Sequence, residues 1–147
     1  MFQVRSGVRQ GCVLSPLLFI TYIDQICKEA NTCEKNKLEE HLNEILFADD
    51  QAIIATTKDQ LQQHITRFNT ACGDFNMRIN TDKTEIVTFA REERTTNINI
   101  CENQIKQTKD FTYLGSIFSE NGRISNEIQN RCNKANQIIG QMSPILR

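Results

Sequence analysis

Apolar residues recur at helical spacing in three parts of the chain, which predicts three amphipathic helices. The first helix is expected at about 16–29, with Ser15 as its N-cap and Pro16 as its first residue. The second follows Thr57-Lys58-Asp59-Gln60, a sequence that matches a capping box. The third begins near Ser125, which can cap it, and carries an apolar stripe that extends to position 142.

Short apolar or alternating segments between these helices predict β-strands. Two apolar runs, 45–48 and 52–55, flank Asp49-Asp50-Gln51 and predict a β-hairpin with its acidic residues at the turn. Phe111–Phe118 predicts one longer strand. A polar surface connection is expected at 31–40 and a charged turn at 91–97, and shorter strands are expected at 2–5, 77–79, 86–89, 98–101 and 104–107.

These elements predict an α+β fold in which helices pack on an antiparallel sheet. With no internal repeat and no linker, residues 1–122 are expected to form one unit, followed by a terminal helix over 123–147. Of the 147 residues, 39% are hydrophobic and 24% are charged, which favours a globular chain over a disordered one.

The composition also narrows the expected location. No apolar run approaches the roughly 18 residues that a membrane span needs. The N-terminus lacks the apolar core of a signal peptide. We therefore expect an intracellular protein, nuclear or cytoplasmic, that does not bind membranes or a small-molecule cofactor.

Neither the charge nor the cysteines point to a particular function. A net charge of −1 is compatible with nucleic-acid binding but does not indicate it. The six cysteines include no Cys-x₂-Cys or Cys-x₄-Cys pair, and only His41 and His64 could assist them in binding zinc. Reduced cysteines that pack in the fold are the favoured interpretation.

The adjacent carboxylates of Asp49 and Asp50 are the first candidates for chemistry. Two neighbouring negative charges repel each other, and a divalent cation relieves that repulsion. An ordinary surface turn is the alternative, because aspartate favours turns for backbone reasons. The apolar strands on both sides of the pair favour a turn at the rim of a core.

A glycine-punctuated segment, Gly7–Pro16, precedes the first helix and is the second candidate. Glycine permits close approach of the backbone to a ligand, and Gln10 offers an amide that can donate and accept. The helix N-terminus after Ser15 and Pro16 favours phosphate. The alternative is an ordinary loop before an ordinary helix.

Together these segments resemble the palm of reverse transcriptases, in particular those of non-LTR (LINE-type) retrotransposons. The resemblance rests on Gly7-x-x-Gln10-Gly11-x-x-x-Ser15-Pro16, followed about thirty residues later by Phe47-Ala48-Asp49-Asp50. It continues through Asn80-Thr81-Asp82-Lys83-Thr84 and Phe111-Thr112-Tyr113-Leu114-Gly115. These motifs stand in the family's order, and residues 125–147 resemble the first helix leading into the thumb.

The resemblance implies an RNA-directed DNA polymerase that transfers nucleotides with two Mg²⁺ ions. It implies that Asp49 is a metal ligand and that Asp50 is a second ligand or a supporting charge. It also implies an RNA template, a DNA primer and deoxynucleoside triphosphates as partners. The residues that it assigns to nucleotide and template binding are Gln10, Gly11, Ser15, Pro16 and Lys83, and those of the primer grip are Tyr113, Leu114 and Gly115.

The resemblance further implies a catalytic aspartate on a strand upstream of the glycine-rich segment, so that these 147 residues correspond to a palm truncated on its N-terminal side. The only aspartate before the hairpin is Asp24, which does not match that motif. We therefore expect the polypeptide as written not to polymerise DNA by itself. A retroelement remnant that binds RNA or protein without catalysis is the alternative, and a degenerate reading frame whose product hardly folds is a weaker one.

Overall fold

The computed structural model describes residues 7–31, 44–90 and 94–142, over which the chain forms helices and short strands. The predicted α+β class is confirmed. The predicted strand at 2–5, most of the connection at 31–40 and the start of the charged turn at 91–97 lie outside the described residues. The elements are α1 (Ser15–Asn31), β1 (Glu44–Phe47), β2 (Asp50–Ile53), α2 (Lys58–Asp74), β3 (Glu85–Ile86), β4 (Asn99–Ile100), β5 (Asn103–Gln104), β6 (Lys106–Gln107), β7 (Asp110–Tyr113), β8 (Ser116–Ser119) and α3 (Ser125–Met142).

The described strands form separate pairs rather than one continuous sheet. The pairs β1–β2, β4–β5 and β7–β8 are antiparallel, whereas β3 and β6 pair in parallel. Side-chain amides take up some of the hydrogen-bonding capacity at strand edges. Gln62 of α2 accepts from the backbone N–H of Asn99 at 2.9 Å and donates to its carbonyl at 2.8 Å. The predicted antiparallel pairing therefore holds locally, in three of the pairs that the structure describes.

The chain divides into two compact units. The first comprises Met1–Thr81 and Ile98–Gln104 and contains α1, α2 and the hairpins β1–β2 and β4–β5. The second comprises Asp82–Asn97 and Ile105–Arg147 and contains the remaining strands and α3. The predicted boundary between a palm over 1–122 and a helix over 123–147 remains a prediction. In the part of the chain that the structure describes, no helix has the length and apolar character needed to cross a membrane.

The core of the first unit lies between α1 and α2. Ile26 is completely buried there, and its neighbours in the cluster include Ile23, Phe68 and Cys72. Tyr22 stands edge-on to Phe75, with ring centroids 5.5 Å apart, and donates its hydroxyl hydrogen bond to the Phe75 carbonyl. The apolar stripes predicted for both helices are thus the surfaces that pack against each other.

Both ends of α2 are fixed by local hydrogen bonds. Thr57 is the N-cap, and its hydroxyl accepts from the Gln60 N–H at 3.2 Å, as the capping box predicts. Asn76 adopts a positive φ of 54° after the helix. Met77 N–H then donates to the Cys72 carbonyl at 2.8 Å and Asn76 N–H to that of Gly73 at 3.0 Å, which is a Schellman motif.

This C-terminal motif explains why the strand predicted at 77–79 does not form. The Met77 N–H is engaged by α2, and the side chains of Met77 and Ile79 pack against the core of the helix pair. The strand predicted at 86–89 is also shorter than expected, since only Glu85–Ile86 pairs with another strand.

The single strand predicted at Phe111–Phe118 is wrong. The segment folds back as the hairpin β7–β8, in which Tyr113 pairs with Ser116. Leu114 and Gly115 both have positive φ, 49° and 83°, as the two central residues of a type I′ turn require. Leucine rarely takes this conformation, so the sequence carries no strong turn signal at this position.

Helix α3 contacts this hairpin through polar groups. Glu127 accepts from the Ile117 N–H at 2.7 Å and from Arg131 Nε at 2.5 Å, and Arg131 also donates to the Ser116 hydroxyl at 3.2 Å. These hydrogen bonds, with the backbone donor of Ile117 contributing most, lower the pKa of Glu127. The apolar stripe of α3 is exposed, with Ile138 and Ile139 at 57% and 64%.

Candidate metal and nucleotide site

The candidate metal ligands lie at the tip of the β1–β2 hairpin. Phe47 pairs with Asp50, so the connecting turn consists of Ala48 and Asp49 alone. Asp49 is therefore in the turn, as predicted, whereas Asp50 is the first residue of β2 and not a turn residue. Ala48 has a φ of 53°, a left-handed conformation that costs an L-residue about 1 kcal/mol.

The two faces of this hairpin differ in their surroundings. Cross-strand partners share a face and faces alternate along a strand, so Asp50 lies with Phe47 on one side. Phe47 is 62% exposed and Asp50 is exposed as well. Glu44 and Gln51 lie on the other side, where the Gln51 side-chain amide donates to the Glu44 carboxylate. The tip therefore presents its carboxylates to solvent.

The two carboxylates of this tip are suitable ligands for Mg²⁺. Magnesium takes oxygen ligands and is commonly held by one or two carboxylates, water and substrate phosphates. Asp49 and Asp50 supply two such carboxylates. Over residues 7–31, 44–90 and 94–142, no three His, Cys, Asp or Glu side chains are grouped so as to hold a metal ion. The tip can thus contribute to a metal site but does not form a closed cage.

The glycine-rich segment closes on itself before α1. The Ser15 hydroxyl donates to the Arg9 carbonyl at 2.6 Å, and Cys12 N–H donates to the same carbonyl at 3.2 Å. Gly11 has a φ of 84°, which glycine adopts without steric cost. Ser15 is buried and its hydroxyl secures the loop, so it does not act as the N-cap that the sequence predicts.

This loop exposes groups that can meet a ligand. Gln10 and Pro16 are exposed, and Cys12 lies between them with an exposed thiol. A hydrogen bond from the Leu14 backbone N–H lowers the pKa of the Cys12 thiol. Backbone N–H groups that stabilise a thiolate can equally stabilise another anion, which is compatible with the predicted phosphate binding.

The predicted site residues fall into both compact units. Gln10, Gly11, Ser15, Pro16, Asp49 and Asp50 belong to the first unit. Among the described residues, no hydrogen bond or ion pair joins the side chains of Gln10 and Asp49. Lys83 and the segment Tyr113-Leu114-Gly115 belong to the second unit, where Lys83 is an exposed turn residue. Leu114 and Gly115 form a hairpin turn, whereas a gripping strand was expected.

A half-buried polar cluster beside the hairpin was not predicted from the sequence. The Glu44 carboxylate, 15% exposed, lies 3.8 Å from His64 Nε2 of α2. Burial, followed by the hydrogen bond to Glu44 and its charge, raises the pKa of the Cys27 thiol on α1 to about 12. One sequence feature could have indicated this cluster. His64 is a polar residue on the apolar face of α2, three residues after Leu61 and four before Phe68.

Comparison with known proteins shows the family to which this chain belongs. Residues 2–118 match the family model described as reverse transcriptase (RNA-dependent DNA polymerase). The match extends over most of the chain and includes the glycine-rich segment, the hairpin with Asp49 and Asp50, and nearly all of β8. The chain belongs to the reverse transcriptase family.

Two Drosophila melanogaster proteins show the kind of reverse transcriptase that the chain is similar to. The RNA-directed DNA polymerase from mobile element jockey is 27% identical over 134 residues, which cover 86% of this chain and 14% of that protein. The retrovirus-related Pol polyprotein from type-2 retrotransposable element R2DM is 27% identical over 149 aligned positions, 93% of this chain and 13% of that protein. The predicted relation to non-LTR retrotransposon polymerases is confirmed, and the chain spans about one-seventh of the length of these relatives.

Proposed function

We propose that this chain is the part of an RNA-directed DNA polymerase palm that supplies the hairpin carboxylates for nucleotidyl transfer. The observation that carries the proposal is the position of Asp49 in a two-residue turn, next to Asp50 at the start of β2, within a chain of the reverse transcriptase family. The partners of the reaction are an RNA template, a DNA primer and deoxynucleoside triphosphates.

Mg²⁺ bound at this tip would neutralise phosphate charge and make the primer hydroxyl a better nucleophile. Asp49 is the proposed principal ligand, because a turn residue can reach a metal beyond the end of both strands. Asp50 would act from the outer face of the hairpin, as a second ligand or as a supporting negative charge. Both side chains are accessible to such a complex, since both are exposed.

The other site residues are assigned to binding. Gln10 and Gly11 would position the template and the incoming nucleotide, while Ser15 and Pro16 hold the loop on the end of α1. Lys83 would approach the triphosphate, and Tyr113, Leu114 and Gly115 would contact the primer. Because the chain corresponds to only 14% of the jockey polymerase, the complete reaction is proposed for a larger assembly of polymerase segments.

The metal step can be tested in the 147-residue polypeptide with Mn²⁺ as a probe for Mg²⁺. Paramagnetic broadening of backbone amide signals should centre on Asp49 and Asp50, with weak affinity because the tip supplies only two carboxylates. Asp49→Asn should reduce the broadening several-fold. Asp59→Asn, which alters an exposed aspartate in the first turn of α2, is the matched control and should leave it unchanged. Equal broadening in wild type and Asp49→Asn would contradict the proposal.

Primer extension tests whether these 147 residues can polymerise DNA without further polymerase segments. On an RNA template with Mg²⁺, we expect no extension by these 147 residues alone, since two Mg²⁺ ions need more carboxylate than Asp49 and Asp50 provide. Robust extension that Asp49→Asn abolishes would show that the polypeptide is a sufficient catalyst and overturn that expectation.

A non-catalytic binding module is the second candidate function. It is favoured by the apolar side chains of β1, because Ile45, Leu46 and Phe47 are 42%, 38% and 62% exposed. Such surface commonly marks contact with another macromolecule. The absence of Mn²⁺ binding at the hairpin, together with retained affinity for RNA, would favour this function over the polymerase role.

A further inference from the structure

Glu44 occupies an unusual position for a carboxylate that no proposed chemistry uses. It is the first residue of β1, and its side chain is only 15% exposed. Gln51 of β2 donates its side-chain amide to Glu44 Oε1. Glu44 Oε2 lies 3.8 Å from His64 Nε2 of α2. The Cys27 thiol of α1 donates a hydrogen bond to the same carboxylate. One side chain therefore connects both hairpin strands to both helices of the first unit.

The remaining contacts of the hairpin make this connection important. In β1, the three apolar residues after Glu44 are exposed, so they provide little packing that could fix the strand. The residues of β2 from Gln51 to Ile53 are half-buried. Polar groups and a short half-buried strand thus hold a hairpin whose tip bears two negative charges.

The His64 ring supplies a second, independent sign that this cluster is constrained. Its Nε2 atom is buried and makes no hydrogen bond within the described residues. A buried polar group without a hydrogen bond is costly. The Glu44 carboxylate lies beside this nitrogen, 3.8 Å away.

We propose that Glu44 is a positioning residue that holds the Asp49–Asp50 tip in one register and orientation. Side chains alternate between the two hairpin faces, so a slip of one residue would move Glu44 outward and exchange the faces of every residue in the strand. The hydrogen bond from Gln51 to Glu44, and the half-buried place of Glu44 beside His64, oppose that slip. This role rests on the proposed metal-binding function, but the orientation of the hairpin can be measured without metal.

Hydrogen exchange of the backbone amides in β1 and β2 provides the metal-free measurement. In Glu44→Ala we expect protection of these hairpin amides to fall at least tenfold, while amides of the α1–α2 core near Ile26 retain theirs. Glu44→Gln, which keeps an acceptor for Gln51, should recover most of the protection. Glu102→Ala, at an exposed turn of the same unit, is the control and should match wild type. Unchanged hairpin protection in Glu44→Ala would overturn the proposal.

Mn²⁺ broadening at Asp49 and Asp50 then tests whether Glu44 affects cation binding at the hairpin tip. Glu44→Ala should weaken it at least threefold, and Glu44→Gln should restore at least half of the loss, a rescue that a merely destabilising substitution would not show. If Glu44→Ala unfolds the core, Gln51→Ala is the replacement variant, since it removes one hydrogen bond and leaves the carboxylate in place. If the wild type shows no Mn²⁺ broadening, the proposed function fails, and the exchange data alone decide the role of Glu44.

Discussion

The reactivity of the Cys27 thiol gives a quantitative check on the half-buried polar cluster of Glu44, Gln51, His64 and Cys27. Burial is the largest cause of its raised pKa, and the hydrogen bond to Glu44 and the Glu44 charge add to it, which brings the pKa from 9.0 to about 12. At about pH 8, a thiol of pKa 9.0 is about one-tenth thiolate, whereas one of pKa about 12 is thiolate in about one molecule in ten thousand. The reactive form is therefore about a thousandfold scarcer in Cys27.

The scarcity of the Cys27 thiolate is partly compensated by the higher intrinsic reactivity of that thiolate. Thiolates of higher pKa are better nucleophiles, with a Brønsted coefficient of about 0.4–0.5, which returns a factor of roughly twenty over the shift. We therefore expect Cys27 to react with iodoacetamide on the order of fifty times more slowly than an unshifted thiol. Cys12, with an exposed thiol and a lowered pKa, should be among the first cysteines to react.

Peptide mass spectrometry over a time course at several pH values measures both rates. The Cys27 rate should rise about tenfold per pH unit to about pH 11, because its pKa is about 12, whereas an ordinary thiol levels off above its pKa of 9.0. Glu44→Gln removes a charge but not the burial, and should accelerate Cys27 several-fold. Glu29→Gln, at an exposed position of α1, is the matched control. A Cys27 rate within fivefold of exposed Cys132, or one indifferent to Glu44→Gln, would refute the reasoning.

Two further predictions concern stability. Ile26→Ala should lower the free energy of unfolding of the first unit by about 3 kcal/mol, because Ile26 is 0% exposed and its truncation leaves a cavity. The control is Ile20→Ala, at a residue of the same helix that is 54% exposed, and it should change this free energy by less than about 0.5 kcal/mol. Denaturant titrations followed by circular dichroism measure both changes. Leu114→Asn should stabilise the second unit by about 1 kcal/mol and raise its melting temperature, because asparagine tolerates the positive φ at this turn better than leucine. Leu114→Ala removes the side chain without relieving the backbone and should bring no such gain.

Much of the local structure followed from the sequence where one physical signal dominated. The apolar spacing and capping box of α2 predicted the helix and its start, because burial of the apolar face against α1 and the Thr57 cap both favour the same helix. The hairpin around Asp49 was predicted for a similar reason. The turn at Leu114 was missed because leucine at positive φ contradicts residue preference, and only the pairing of β7 with β8 makes it favourable.

The candidate site shows the same division. Residue type and order indicated Asp49, Asp50 and the glycine-rich loop as candidates, and the family match spans these motifs, while their roles remain predictions. The polar cluster could not be derived in this way. Glu44, Gln51 and Cys27 lie on different elements, and their contacts form only when those elements pack together. The position of Asp50 on β2 likewise depends on the strand register, which a run of apolar residues does not specify to one residue.

The register of the hairpin also determines how negative charge is distributed around a bound cation. Glu44 and Gln51 share the face of the hairpin that lies toward His64, and Asp50 shares the opposite, solvent-exposed face with Phe47. A cation at the tip would therefore meet Asp49 and Asp50 but not Glu44, whose carboxylate is committed to Gln51, His64 and Cys27. Were the strand to slip by one residue, Glu44 would leave this face and Ile45, which is now 42% exposed, would take its place beside His64. Loss of the Glu44 side chain should therefore reduce hairpin order more than it weakens the proposed binding of a cation, because Glu44 contacts Gln51 rather than the tip.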